Sequence, residues 1–305
     1  MYNRPLRYLI KNDPDKVLSL RGVRLRRLFS PVFRHVIVPL SSRNRLTVVR
    51  KAEVPRDRPV IFAATHGFRD DVAFSLKTIG SHAYLLYASI PDFYESPDGY
   101  ALWLNGVVLL DRKDKSSRRA AKDKMIRALS LGANLLLFPE GVWNKTENLV
   151  VQKLFPGVYD VAKATGAWVM PLASVEEDGR VYTILEEAFD ICAFDRQEGL
   201  LVLRDKMATA KYELMDAYSH ASRAAIGDAK AYWAAFLDRL VATARGHYDT
   251  EIENTAQFRD KNETTSEQAF RHLQDVRPDP RSAFLFGKDL KGGENVCGAG
   301  FPDSL

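Results

Sequence analysis

His66, in Thr65-His66-Gly67-Phe68-Arg69-Asp70-Asp71, directly follows the apolar run Val60-Ile61-Phe62-Ala63-Ala64, and Asp71 stands five residues further on. A histidine leaving a strand with a carboxylate at the next helix start can form an imidazole–carboxylate pair. The acid holds one ring nitrogen and leaves the other as a base. A second stretch, Asn105-Gly106-Val107-Val108-Leu109-Leu110-Asp111-Arg112, puts an arginine just past a buried strand, where its forked donors suit a phosphate. In a third, Phe138-Pro139-Glu140-Gly141-Val142-Trp143-Asn144, proline and glycine force a tight turn with Glu140 at its mouth. Gly141 lets backbone approach a ligand with no Cβ in the way. The fourth is Met170-Pro171-Leu172, a proline at the end of another apolar run. Taken singly, each has a bland alternative: a capping Asp beside a structural His, a solvated strand end, a turn, a strand-end proline. Asp70-Asp71 reads as a metal pair only if neighbours complete a coordination set, and none does.

These stretches sit in an alternation of short β-rich runs and helical segments. Strands are predicted at 46–52, 59–64, 83–89, 107–111, 134–138, 168–175 and 180–189, with helices near 70–79, 97–104, 116–131 and 157–166. That order predicts an α/β domain over 46–200, with a largely parallel or mixed sheet flanked by helices and the site at strand carboxyl ends. Residues 1–45 are expected to form a separate segment of basic amphipathic helices, in which 13–40 read as a helix pair. Leu18, Leu25, Phe29, Val32 and Val36 form one face, Arg24, Arg27 and Arg34 the other, and Ser30-Pro31 the break between helices. A C-terminal helical extension is expected over 201–275, with 255–275 a more polar helix, and an irregular tail over 276–305.

Apolar residues at 46% and charged residues at 27% exclude a disordered or collagen-like chain, and Cys192 and Cys297 are too few for a disulfide scaffold. Neither cysteine lies in a CxxC or Cys/His cluster, so no metal is expected and a reducing compartment is favoured. The net charge of +5 conceals an asymmetry: residues 1–51 hold 13 Lys/Arg against Asp13 and Asp15, a net +11, and the remainder carries a net −6. Such a split points to an anionic partner, membrane or nucleic acid. The basic residues alternate with Leu, Val and Phe rather than with stacking aromatics, which argues for membrane and against nucleic acid. No signal-peptide core and no run of about 18 apolar residues is present, so the chain is expected to be soluble or peripheral.

In their order and spacing the four stretches resemble the glycerolipid acyltransferase family, which includes the 1-acylglycerol-3-phosphate acyltransferases. His66 and Asp71 match its His-x4-Asp motif, Gly106 through Arg112 its second block, Phe138-Pro139-Glu140-Gly141 its third and Pro171 its fourth. The resemblance covers roughly residues 45–190. It departs where phosphatidate-forming members carry Thr-Arg-Ser, since Val142-Trp143-Asn144 stands there and a cation associated with the acceptor phosphate is missing. Arg69, Arg112 or Lys145 are candidates to replace it.

The resemblance implies transfer of a fatty acyl group from acyl-CoA or acyl-carrier protein to a hydroxyl of a lysophospholipid or related lipid in phospholipid biosynthesis. It implies His66 and Asp71 as the catalytic pair, and Arg112, Glu140, Gly141, Arg69 and Trp143 around the substrates. No cofactor beyond the co-substrate is expected. The partners expected are an anionic membrane surface, the lipid acceptor and the donor, with a cytoplasmic location, peripheral on the inner face of a membrane. A thioesterase or lipid hydrolase shares the same His–Asp pair, although no G-x-S-x-G elbow is present. A catalytically silent lipid-binding relative is the remaining alternative.

Overall fold

The alternation along Val60-Ile61-Phe62-Ala63-Ala64 sends successive side chains to opposite sides of a sheet. In the computed structural model, which describes residues 13–88, 93, 98–144 and 149–219 with positions 235, 238, 239 and 242, this segment is strand β2 (Val60–Ala64), buried throughout. Ile61 and Ala63 join one core cluster, and Val60, Phe62 and Ala64 join the other. The remaining strands are β1 (Arg45–Lys51), β3 (Ala83–Tyr87), β4 (Val107–Leu109), β5 (Asn134–Leu137), β6 (Trp168–Glu177) and β7 (Arg180–Leu185). They form one sheet in the order β1-β7-β6-β2-β5-β3-β4. All neighbours are parallel except the β6–β7 hairpin. Its turn, Asp178-Gly179, takes positive φ at both residues, the geometry a tight hairpin needs. The sheet is therefore mixed, as the sequence allows.

The helices are α1 (Pro14–Val17), α2 (Leu20–Val32), α3 (Val38–Ser41), α4 (Asp71–Ile79), α5 (Asp98–Asn105), α6 (Lys115–Ser130), α7 (Gly157–Thr165) and α8 (Arg196–Tyr218). Leu76, Ile79 and Leu102 place α4 and α5 on one face of the sheet. Met125, Val161 and Leu203 place α6, α7 and α8 on the other. Asp195 caps α8, and its buried residues Leu203, Met207, Ala210 and Leu214 recur at helical spacing against the sheet. The division drawn at 200/201 thus falls inside a helix that completes the core. Residues 220–275, apart from the four isolated positions, and the predicted tail of 276–305 lie outside the described residues.

The N-terminal helices differ from expectation in two respects. The break falls at Leu18-Ser19 instead of Ser30-Pro31: Ser19 Oγ accepts from the Gly22 N–H to start α2, and Ser30 is buried within the helix. Pro31 removes only its own N–H, and α2 runs on into α3 through a π-helical turn at Phe33–Ile37. That wider turn falls just before Pro39, whose ring would crowd the His35 carbonyl in regular α geometry. Second, the apolar residues make two faces. Leu18, Val23, Phe33 and Val38 are buried and Phe29 packs against the cluster of Phe33 and Val38, whereas Leu25, Leu28, Val32, Val36 and Leu40 are exposed. Part of the basic charge is internal as well: Arg27 donates to the Gly132 carbonyl beyond α6, Arg34 to Ser30 O, and Arg26 lies over the Tyr84 and Trp103 rings. Among the described residues no helix is long and apolar enough to cross a membrane.

Candidate active site

Parallel pairing of β2 with β5, Ile61 opposite Leu135 and Ala63 opposite Leu137, delivers the segments after both strands to one end of the sheet. This is why His66 and Glu140, distant in sequence, meet. The His66 N–H donates to Glu140 Oε1 at 3.0 Å, and the His66 carbonyl accepts from the Asn144 N–H at 2.8 Å. The other Glu140 oxygen accepts from the Gln152 N–H at 2.8 Å. Glu140 is buried, and desolvation raises its pKa, opposed by the Lys211 charge and by these N–H groups. Behind His66, the buried Thr65 hydroxyl accepts from the Ser174 N–H on β6.

The imidazole meets Asp71 at the first residue of α4, with Nδ1 donating to Oδ2 at 2.8 Å. The same oxygen accepts from the Gly67 and Phe68 N–H groups at 3.0 and 3.3 Å, so three donors hold a carboxylate with no exposed side-chain surface. The His66 side chain is 20% exposed, and Nε2 has no hydrogen bond to any described residue. Phe138 lies against the ring at 4.5 Å between centroids, and Trp143 stands edge-on at 6.2 Å. The arrangement is a fixed tautomer with a free basic nitrogen in an aromatic cleft, suited to taking a proton from a hydroxyl or water.

The other predicted residues separate. Glu140, expected among the substrate contacts, gives both oxygens to backbone N–H groups and ties two loops together. Gly141 donates its N–H to Phe138 O at 2.9 Å and takes a φ of +78°, so it closes the turn that sets Glu140. Arg69 forms a two-pronged pair with Asp70, at 2.6 and 2.8 Å. Each acid of Asp70-Asp71 therefore has its own partner. Arg112 follows β4, on the same side of β2 as β5 but three strand spacings away, roughly 14 Å. Trp143 does flank the site, its ring also packing with Phe68 and Phe74. Lys145 lies outside the described residues.

Sequence reading missed three contributors. Asn144 and Gln152 act through backbone amides, which leave no mark in side-chain type. Lys211 arrives from α8, 145 positions beyond His66. Residues 45–175 match the family model described as Acyltransferase. This chain carries an acyltransferase-family domain. The matched segment holds His66, Arg69, Asp71, Arg112, Glu140, Gly141 and Trp143. The chain is also similar to the crystal structure of the 1-acyl-sn-glycerophosphate (LPA) acyltransferase PlsC from Thermotoga maritima. That match has a TM-score of 0.49 at 18% identity, covering 72% of this chain and 88% of that one. Among curated proteins no relative matches the sequence.

Proposed function

We propose that this acyltransferase moves a fatty acyl group from a thioester, acyl-CoA or acyl-carrier protein, to a hydroxyl of a lysophospholipid or related lipid at a membrane surface. The observation that carries the proposal is the His66–Asp71 contact, with Nε2 left open beside Trp143. Nε2 takes the hydroxyl proton as the oxygen attacks the thioester carbonyl. Asp71 holds the tautomer and stabilises the imidazolium. The tetrahedral intermediate then expels the thiolate, breaking the C–S bond, and the proton on Nε2 passes to the departing sulfur. Thiols have pKa values near 8.5, so the leaving group needs little help. The intermediate's oxyanion needs a preorganised donor. The Gly141 amide is occupied in the turn; the next amide, of Val142, has no hydrogen bond to a described residue and is the candidate.

Docking to lipid follows from the exposed face of α2 and α3. Leu25, Leu28, Val32 and Val36 stand in solvent although the opposite face of the same helices is already packed. Trp103, 48% exposed, lies beside α2 under Arg26. Apolar side chains with nearby arginines suit an anionic bilayer interface.

Release of thiol from acyl-CoA, followed with and without lipid acceptor, tests the function. Release that requires acceptor and forms the acyl ester is expected. Equal release without acceptor would make the protein a thioesterase, and no release with any acceptor would make it a silent relative.

A further inference from the structure

Lys211 is a cation that α8 brings to the His66 cleft. It follows Ala210 of the stripe Leu203, Met207, Ala210, Leu214, all fully buried, so its backbone is fixed against the sheet while the side chain is half-exposed. Its Nζ stands 4.0 Å from the point a Cβ on Gly67 would occupy. Gly67 is the residue after His66, so the ammonium stands at ordinary contact distance from the loop that carries the imidazole. Helix α8 is tied to the same loops, since Arg204 Nε donates to Val151 O at 3.0 Å, next to the Gln152 that binds Glu140.

Lys211 makes no hydrogen bond or ion pair with any described residue. It lies close enough to Glu140 for its charge to favour the ionised carboxyl, but both oxygens of that acid are engaged by backbone N–H groups. An ammonium so placed keeps its donors for another acceptor. Of the other cations considered for an anionic substrate, Arg69 is forked onto Asp70, Arg112 is three strands away, and Lys145 lies outside the described residues.

The geometry points to Lys211 as the residue that binds a phosphate group on the substrate beside His66, so that acceptor selection lies partly in α8, outside residues 45–175. This rests on the acyl-transfer reading above. Two substrates carry phosphate. In a lysophospholipid the phosphate is a few bonds from the acylated hydroxyl, which must reach His66. In acyl-CoA the phosphates lie at the far end of the pantetheine arm from the thioester. A cation at Gly67 therefore fits the acceptor's phosphate.

The test compares wild type, Lys211→Met and Lys211→Arg with lysophosphatidic acid and with uncharged 1-acylglycerol as acceptors, at saturating acyl-CoA. It is paired with calorimetric titration of lysophosphatidic acid without donor. In Lys211→Met, kcat/KM for lysophosphatidic acid should fall at least tenfold further than for 1-acylglycerol, mainly through KM, with binding weakened alike. Lys211→Arg should recover most of both. Equal losses on the two acceptors, as a purely structural role through Glu140 would give, overturn the assignment. So does a KM increase confined to acyl-CoA when the donor is varied at saturating acceptor, which would give the cation to the donor. Wild-type protein that binds lysophosphatidic acid through Lys211 but transfers nothing would keep the site and overturn the transferase reading instead.

Discussion

Removing Glu140 would orphan two buried donors, the N–H groups of His66 and Gln152. Each unsatisfied buried donor costs about 1–3 kcal/mol, so Glu140→Ala should lower unfolding free energy by at least about 2 kcal/mol, read from urea melts. Activity should fall with it, because the backbone of His66 loses its tether. Unchanged stability with lost activity would instead return Glu140 to a role against substrate. The contrast between His66 and Glu140 shows what residue types reveal. His66 and Asp71 are five positions apart across one strand–helix turn, so type and spacing make their contact possible and the motif's company makes it expected. The partners of Glu140 are main-chain amides 74 and 12 positions away, which only the β2–β5 register and the following loop bring close.

The elements were legible where one physical signal dominated. Strands β2 and β5 are short, uninterrupted apolar runs, and all seven predicted strands overlap observed ones. Helices α6 and α7 carry clear apolar periodicity. Ser30-Pro31 misled because a cap-then-proline pair is a start signal in isolation, whereas burial of Ser30 and Phe33 keeps the helix continuous. Periodicity across the π-helical turn also merged two apolar faces into one. That distinction decides how docking is tested. Deleting residues 1–40 would remove Val23, Phe33 and Val38 from the core, so substitutions on the exposed face are the sound probe. Leu28 is 79% exposed and Leu25 66%. Leu25→Glu/Leu28→Glu should leave thermal stability nearly unchanged and reduce sedimentation with phosphatidylglycerol vesicles. The reduction should be at least tenfold, since each buried leucine contributes on the order of 1.5–3 kcal/mol. High salt should weaken wild-type binding further. Vesicle binding unaffected by the double substitution would place docking elsewhere.

Across the described residues, the N-terminal arginines fall into two groups. Some of the N-terminal arginines fasten α2 to the domain, as Arg27 does at Gly132 and Arg26 over Tyr84, while Arg21 and Arg24 remain exposed beside the apolar face. The N-terminal helices contribute to both core clusters, and α8 packs on β6 while sending Lys211 to the cleft. The segment that matches the family model is therefore framed by elements on either side of it in sequence. Everything in that frame converges on one open nitrogen, Nε2 of His66. The decisive measurement is the rate of acyl transfer from acyl-CoA to lipid acceptor by purified His66→Ala, with circular dichroism and melting matched to wild type. Loss of a general base costs about 10²–10⁴-fold, so transfer should fall to about a hundredth of wild type or less. A folded His66→Ala protein that retains more than a few per cent, roughly above what that loss permits, would contradict proton abstraction by His66.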